Sequence, residues 1–374
     1  MRCASRPSRA GMTGCVRRLA RAAAIAVVLA IGVVPSALAQ SLAPAPTPTP
    51  SPTSRVINSD LSAGSLVTNL GSNFLERLGN RATNGFDRMS RNNSDGGGAS
   101  EAVDGPRYRT WFEGYGITAR NAAMGDFVGD RRQTFGGVAG IGARVAPGIN
   151  VGFSVDRSRG AIDVPLALQS ATLDLTQLGF NASLDKGPWT WAVALVHGFG
   201  NIHSSRDTGL GLATAGYNAR LDGALSEISY YLDKDQSRIV PKAALEYVHA
   251  RTGSFQELGG LDPVLASGAT VERMRILIGA EVGHYWIFDR KILDLSAYGK
   301  FVDNLVQNFG DVTVSLGSQS VTLQGIGESQ YGADAGAAAS LSLTSTARLY
   351  LNYDAKFRAA MRSHQGTLGV EFKW

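Results

Sequence analysis

Apolar and polar residues alternate with a period of two over much of the chain, and this pattern limits the possible folds more than any other feature. The clearest stretches are residues 149–156, 172–176, 293–301 and 348–358. In the first of these, the apolar positions are Ile149, Val151, Phe153 and Val155. Successive side chains of a β-strand point to opposite faces, so each stretch predicts a strand with one apolar and one polar face.

The connections between the predicted strands alternate in length. Tight turns are predicted at residues 146–148, 185–188, 233–236, 288–291 and 344–346. Longer loops are predicted at residues 119–133, 158–169, 201–216, 252–269, 303–329 and 358–365. Short periplasmic turns and long extracellular loops are typical of outer-membrane barrels, so residues 107–374 are predicted to form an all-β membrane protein, an antiparallel barrel of about twelve strands.

A soluble β-sandwich or a lipocalin-like barrel is the alternative explanation of an alternating pattern. It fits less well, because the polar face carries charged residues and there is no second apolar face to pack a core. In a membrane barrel the apolar face meets lipid and the charges line a wet lumen. Aromatic residues near the predicted strand ends are then expected in two interfacial girdles. They are Trp111, Trp189, Trp191, Tyr285, Trp286 and Trp374.

Residues 1–39 have the features of a secretory signal peptide. An arginine-rich start precedes the apolar run Ala22–Val34, and Ala37 and Ala39 form a cleavage motif. The alternative is a membrane anchor, but the run is shorter than the roughly 20 residues that span a bilayer.

The leader also explains the basic isoelectric point. It contains six of the 36 basic residues and none of the 31 acidic ones, which leaves a net charge near −1 after cleavage. No nucleic-acid partner is therefore expected. Both cysteines, Cys3 and Cys15, lie in the leader, so the exported chain offers no thiolate for catalysis or metal binding.

Residues 40–106 connect the leader to the predicted barrel. A proline-rich spacer, with the sequence APAPTPTPSPT at residues 43–53, is expected to be extended. Within residues 59–88 an apolar residue recurs every four or five positions and predicts one amphipathic helix, which three glycines weaken. Its apolar positions are Leu61, Leu66, Leu70, Phe74 and Leu78, and its glycines are Gly64, Gly71 and Gly79. The predicted division is residues 1–39 signal peptide, 40–58 spacer or vestigial passenger, 59–106 linker helix and flexible loop, and 107–374 barrel.

The two ends of the predicted barrel resemble the translocator domain of monomeric autotransporters (type V secretion). The opening YRTWFEGYG matches the first-strand pattern of that family through Trp111, Glu113, Gly114, Tyr115 and Gly116. The ending GTLGVEFKW matches its last strand through Leu368, Val370, Phe372 and Trp374. The resemblance implies a twelve-stranded, monomeric barrel in the outer-membrane lipid of a Gram-negative bacterium. It also implies periplasmic chaperones and a barrel-assembly machinery that recognises the last strand.

Family members thread a helix through the lumen to join an exported passenger to the barrel. The segment NLGSNFLERLGNR resembles this linker helix. Some members cleave themselves at an Asn within the lumen, for which Asn69, Asn73 and Asn80 are the candidates, but helical Asn residues need no such role. Because only about twenty residues separate the predicted cleavage site from the helix, the resemblance implies translocation or surface display of a short N-terminal segment.

No enzyme, metal or cofactor motif is found in the sequence. The five histidines, His197, His203, His249, His284 and His364, lack metal-ligand spacing. The predicted lumen charges are Lys242, Glu246, Arg273, Arg275, Glu281, Arg348 and Asp354. They would either hold a helix in place or set ion selectivity. The alternative functions are a small porin, a surface adhesin acting through loops 252–269 and 303–329, and a hydrolase embedded in the barrel.

Overall fold

Twelve long antiparallel strands close into a barrel, and one helix precedes them. The computed structural model describes residues 56–83, 107–125, 127–288 and 291–374. The predicted signal peptide, residues 40–55 of the spacer and the predicted loop at 92–105 lie outside the described residues. The helix is α1 (Asn58–Thr83), close to its predicted start, and residues 84–88 of the predicted helix also lie outside this part of the chain.

The barrel strands are β1 (Tyr108–Asn121), β2 (Asp130–Ala146), β3 (Ile149–Val164), β4 (Gln169–Lys186), β5 (Trp189–Asp207), β6 (Leu212–Tyr230), β8 (Ser237–Thr252), β11 (Thr270–Phe288), β12 (Lys291–Phe309), β15 (Tyr331–Ser342), β16 (Ala347–Arg358) and β17 (Met361–Lys373). Shorter strands in the connections are β7 (Leu232–Lys234), β9 (Phe255–Gln256), β10 (Leu265–Ala266), β13 (Val312–Leu316) and β14 (Gln319–Leu323).

The first and last strands close the barrel. β1 pairs with β17 from Arg109 opposite Lys373 to Asn121 opposite Met361. Beyond this register, Tyr108 N donates to Trp374 O at 2.9 Å and Trp374 N donates to Tyr108 O at 3.0 Å. β8 pairs with β11 at the other junction of the sheet. Each long strand thus has two neighbours, which satisfies the backbone groups that lipid could not hydrogen-bond.

The alternating pattern places apolar side chains outside and polar side chains inside. On β3, Ile149 and Phe153 are 39% and 47% exposed on the outer face, whereas Asn150, Ser154 and Asp156 are buried in the lumen. A soluble protein has the reverse arrangement, with apolar side chains inside. The observed arrangement confirms the predicted membrane barrel, because the outer face must be compatible with lipid. Among the described residues, no helix is long and apolar enough to cross a membrane.

The strands extend further toward the long connections than the sequence predicts. Most of the predicted loops at 158–169 and 201–216 belongs to strands, since β3 reaches Val164, β5 reaches Asp207 and β6 begins at Leu212. Most outward positions in these extensions are polar, such as Arg159 and Asp163 on β3. Without an apolar outer face the alternation disappears from the sequence, although the strand continues.

Two of the predicted girdle aromatics lie inside the barrel. Trp111 is 1% exposed and Tyr285 is 9% exposed. Their sequence neighbours Phe112 and Trp286 take the outward positions, at 53% and 37% exposure. The girdle prediction is wrong for Trp111 and Tyr285, because it used proximity to a strand end without the inward or outward phase of the strand.

The two longest connections, residues 253–269 and 310–330, fold together at the loop end. Their strands β9, β10, β13 and β14 form a separate four-stranded sheet. Val312, Val314 and Leu323 of this sheet are buried, as is Val264 just before β10. Tyr217 of β6 stacks on Phe255 of this sheet, with ring centroids 4.7 Å apart.

Candidate functional site

The lumen is the candidate functional site, and α1 runs through it in one defined direction. At the loop end, Ser59 N donates to Gln169 Oε1 at 2.9 Å and Val128 N donates to Asn58 Oδ1 at 3.1 Å. At the opposite end, Arg109 Nη2 donates to Arg81 O at 3.1 Å. The helix therefore begins among the long connections and ends beside the start of β1 and the end of β17.

One side of α1 packs on an apolar wall of the lumen. The helix contacts β3, β4, β5, β6, β8 and β11. Its buried stripe, which includes Leu70, Phe74 and Leu78, joins Leu175 and Leu221 of the wall in one core. Burial of this kind stabilises by about 1.5–3 kcal/mol for each large side chain.

The helix glycines allow this wall to approach closely. A Cβ at Gly71 would lie 2.5 Å from Leu221 Cδ2, and one at Gly79 would lie 2.8 Å from Leu225 Cδ2. The glycines that weaken the helix by propensity therefore have a packing role in the lumen.

The end of α1 beside the periplasmic turns carries two arginines that meet two buried glutamates of the wall. Arg77 Nη1 lies 3.1 Å from Glu113 Oε2, and Arg81 Nη1 lies 3.0 Å from Glu371 Oε2. Arg81 also contacts Glu113 directly. Arg81 lies over the ring of Tyr350, 4.2 Å from its centroid. Burial makes a charge costly unless it is paired, so this cluster fixes the end of the helix against β1 and β17.

A second cluster holds the middle of α1. Glu76 Oε1 lies 2.7 Å from Arg275 Nη2 and 2.6 Å from Lys356 Nζ. Arg275 Nε is in turn 2.8 Å from Glu246 Oε1, which accepts a hydrogen bond from Ser72 Oγ at 2.6 Å. Strands β11 and β16, which are not neighbours in the sheet, thus share one helix carboxylate.

The loop end of the lumen has a third set of contacts. Tyr217 OH donates to Asp60 Oδ1 at 2.6 Å, and Arg132 Nη1 donates to Ser65 Oγ at 3.2 Å. Glu328, in the connection before β15, lies 2.7 Å from Arg273 Nη1. Burial alone would raise the pKa of Glu328, but Arg273 and Arg358 outweigh it and lower this pKa to about 2.

The charges singled out in the sequence all face the lumen, but they belong to different networks. Glu246, Arg273 and Arg275 contact the helix. Lys242 and Glu281 pair with each other at 3.1 Å, away from the helix. Arg348 pairs with Glu371 at 3.0 Å, and Asp354 accepts a hydrogen bond from Tyr298 at 2.6 Å.

The first-strand motif divides between the two faces of β1. Trp111, Glu113 and Tyr115 point into the lumen, whereas Gly114 and Gly116 lie on the outer face. On the last strand, Leu368, Phe372 and Trp374 are 55%, 43% and 55% exposed on the outer face, with Val370 half-buried there.

The three candidate asparagines lie on the lumen helix in different surroundings. Asn69 Oδ1 accepts a hydrogen bond from Arg273 Nη1 at 2.8 Å. Asn73 and Asn80 border a cavity of about 200 Å³ between the C-terminal half of α1 and the wall of β11, β12, β15 and β16. The cavity is strongly charged, with Glu76, Lys300 and Lys356 among its lining residues. No group of His, Cys, Asp and Glu suited to a metal ion occurs among the residues that the structure describes.

Sequence reasoning missed several members of these networks. The missed residues are Asp60, Glu76, Arg77, Arg81, Tyr217, Lys300, Glu328, Lys356 and Glu371. A signal was present for most of them, because the helix charges lie off the apolar stripe and Lys300, Lys356 and Glu371 occupy inward positions of their strands.

Comparison with known families decides the identity of this helix-filled barrel. Residues 110–354 match the family described as the autotransporter beta-domain. The chain belongs to the autotransporter family. Its fold is similar to the translocator domain of the autotransporter NalP from Neisseria meningitidis, with a TM-score of 0.65 and 14% identity over 85% of this chain and 99% of that one. It is also similar to the beta domain of the Bordetella autotransporter BrkA, with a TM-score of 0.54 and 14% identity over 72% of this chain and 100% of that one. The chain has no significant match among curated proteins.

Membership of the autotransporter family establishes the function of the barrel. The protein is an outer-membrane barrel of a Gram-negative bacterium that translocates a passenger, and the translocator barrel is not itself an enzyme. Its lipid-facing outer surface and its closed single-chain sheet agree with a monomeric barrel.

Proposed function

We propose that the barrel displays residues 40–55 at the cell surface and that α1 stays in the lumen as a plug. The direction of α1 carries this proposal. The helix begins among the long connections, which face the exterior in outer-membrane barrels, and ends at the periplasmic side. The segment that precedes Val56 is therefore attached to the external end of the helix.

The contacts of α1 support a plug that remains in place. Charged groups of the helix meet partners on β1, β11, β16 and β17, and the apolar stripe packs on the opposite wall. Releasing the helix would expose both sets of groups to water at once. In this proposal Asn69, Asn73 and Asn80 keep an intact peptide bond, and the predicted lumen charges are structural.

The proposal includes the route of export. A signal peptide at residues 1–39 directs the chain across the inner membrane, and periplasmic chaperones deliver it unfolded. The barrel-assembly machinery then recognises the last strand through Leu368, Val370, Phe372 and Trp374. The spacer, linker helix and barrel follow as residues 40–58, 59–106 and 107–374.

An epitope tag inserted after Ser54 tests the display. We expect antibody to label this tag on intact cells, and mass spectrometry to find the tag and the barrel in one chain. A second tag, placed in the turn between β7 and β8 at residue 235, serves as the control and should be labelled only after permeabilisation. A heat-dependent gel shift verifies folding. If the first tag also requires permeabilisation while the barrel is folded, the display proposal is wrong.

A further inference from the structure

Three arginines form a row on the outer face of neighbouring strands at the loop end of the barrel, and two more lie further from that end on β3. The row is Arg120 on β1, Arg131 on β2 and Arg362 on β17, the other two are Arg157 and Arg159, and all five are exposed. Arg120 stands directly opposite Arg131 on one side and Arg362 on the other. Because neighbouring strands are about 4.8 Å apart, three guanidinium groups start from backbone positions within about 10 Å.

This row is not neutralised by the protein. Like charges directly opposite each other destabilise a sheet. Arg131 has Asp163 as its other cross-strand neighbour, and Arg159 Nε lies 4.0 Å from Asp174. Arg120, Arg157 and Arg362 form no ion pair with the residues that the structure describes. Three positive charges in this surface therefore lack an acidic partner there.

The row lies at the level of the membrane interface. Arg362 is directly opposite Phe357, and Phe135, which is 70% exposed, lies four residues along β2 from Arg131. Exposed aromatic rings on the outer face mark the boundary between the hydrocarbon and the headgroups. Since this boundary is on the side of the long connections, the arginines meet the headgroups of the outer leaflet.

In the described part of the chain, the opposite side of the barrel has no such excess of positive charge on its outer face. There Arg220 and Arg251 also stand opposite each other on the outer face of β6 and β8. Asp222 and Glu272 accompany them and pair with histidines, at 2.8 Å from His197 and 3.3 Å from His249. The acidic and arginine charges balance on that side.

We infer that Arg120, Arg131 and Arg362 form a binding site for the phosphate groups of a phosphorylated glycolipid in the outer leaflet. Guanidinium groups bind phosphate oxygens in a bidentate manner, and clusters of such groups at a membrane surface recognise anionic headgroups. Phe357 and Phe135 would contact the apolar part of the same lipid. The site lies outside the lumen, so it does not depend on the display proposal.

Titration of the purified full chain with bisphosphorylated lipid A, followed by native mass spectrometry in a neutral detergent, tests the site. We expect the variant R120Q/R131Q/R362Q to bind this lipid at least tenfold more weakly than the unaltered protein. The variant R220Q/R251Q is the matched control, because it also removes outward arginines, and its affinity should stay within twofold. The heat-dependent gel shift verifies that both variants are folded.

Two further probes identify the chemistry of the ligand. The unaltered protein should bind dephosphorylated lipid A only weakly. Its affinity for that lipid should equal the affinity of the triple variant for bisphosphorylated lipid A. Inorganic phosphate should bind too weakly to compete at millimolar concentration. The proposed site would be wrong if the triple variant bound bisphosphorylated lipid A as tightly as the unaltered protein does. It would also be wrong if the unaltered protein bound dephosphorylated lipid A equally tightly. Tight binding of inorganic phosphate alone would overturn its assignment to a lipid headgroup.

Discussion

At the scale of single residues, the lumen depends on buried charges whose pairing is complete only when the helix, the wall and the folded connections are all present. Glu328 shows this dependence most clearly. It enters the lumen from the connection before β15 and lies 2.7 Å from Arg273 Nη1 and 3.7 Å from Arg358 Nε. Arg273 also donates to Asn69 of the helix at 2.8 Å. One carboxylate thus couples an external connection to the position of α1.

The substitution Glu328→Gln should destabilise the barrel in a pH-dependent way. The folded state lowers the pKa of Glu328 from 4.5 to about 2. Its ionised form therefore stabilises the protein above pH 4.5, and this contribution is lost as the pH falls through about 2. We expect the variant to lose at most roughly 3 kcal/mol of unfolding free energy at pH 7. The difference in unfolding free energy between the variant and the unaltered protein should become much smaller near pH 2. Urea unfolding in detergent micelles, followed by tryptophan fluorescence at several pH values, measures both quantities.

Glu272→Gln is the control for this pH dependence. Glu272 is on the outer face, with a side chain 36% exposed, and lies 3.3 Å from His249 Nδ1. Exposed ion pairs contribute about 0–1 kcal/mol, so this variant should unfold almost like the unaltered protein at pH 7. The assigned role of Glu328 would be contradicted if the unfolding free energies of Glu328→Gln and the unaltered protein differed by the same amount from pH 7 to pH 2.

At the scale of elements, the helix should loosen when its terminal anchor is removed. Arg81→Met keeps most of the side-chain volume but takes one cation from Glu113 and Glu371, which retain Arg77 and Arg348 as partners. We expect the unfolding free energy to fall by about 3 kcal/mol, the low end for breaking a buried ion pair. The freed end of α1 should also open the lumen transiently, so conductance events in planar bilayers should become several-fold more frequent.

Arg206→Met separates loosening of the helix from general destabilisation. Arg206, near the end of β5, pairs with Glu257 at 2.5 Å, and its hydrogen bonds in the described structure go to Glu257 and Asp262 and not to α1. This variant should also be less stable, but its conductance should match that of the unaltered protein. Equal conductance of the Arg81→Met variant would mean that the apolar wall alone retains the helix.

The elements were predictable from the sequence, but their ends and their partners were not. The phase of β3 follows from Ile149 and Phe153, because lipid requires apolar side chains at outward positions. The same rule fails at Arg157 and Arg159, where polar outward residues hide the alternation although the strand continues to Val164. The partners of Glu76 lie about 200–280 residues away, at Arg275 and Lys356. Such pairs depend on the stagger of the strands and the rotation of the helix, which no local pattern specifies.

At the scale of the whole molecule, closure of the barrel joins the two ends of the sheet through one pair of strands. Thr110 of β1 is opposite Phe372 of β17, and the rings of Tyr108 and Trp374 stack with centroids 6.4 Å apart. The apolar residues of the last strand can serve two purposes, contact with lipid and recognition during assembly. A matched pair of substitutions distinguishes them, because lipid contact is a property of the folded state and recognition acts before folding is complete.

Phe372→Asp and Leu349→Asp place the same charge on adjacent strands. Leu349 of β16 is 40% exposed on the outer face and lies opposite Val370, two residues from Phe372. Acidic residues near the interface cost about 1 kcal/mol or less, so both variants should refold in detergent with nearly equal stability. In cells, recognition of the last strand predicts at least a tenfold loss of folded barrel for Phe372→Asp and less than a twofold loss for Leu349→Asp, measured by the heat-dependent gel shift of outer-membrane fractions. Equal losses would mean that β17 acts only as one lipid-facing strand among twelve, and the assembly role assigned to Phe372 would then be wrong.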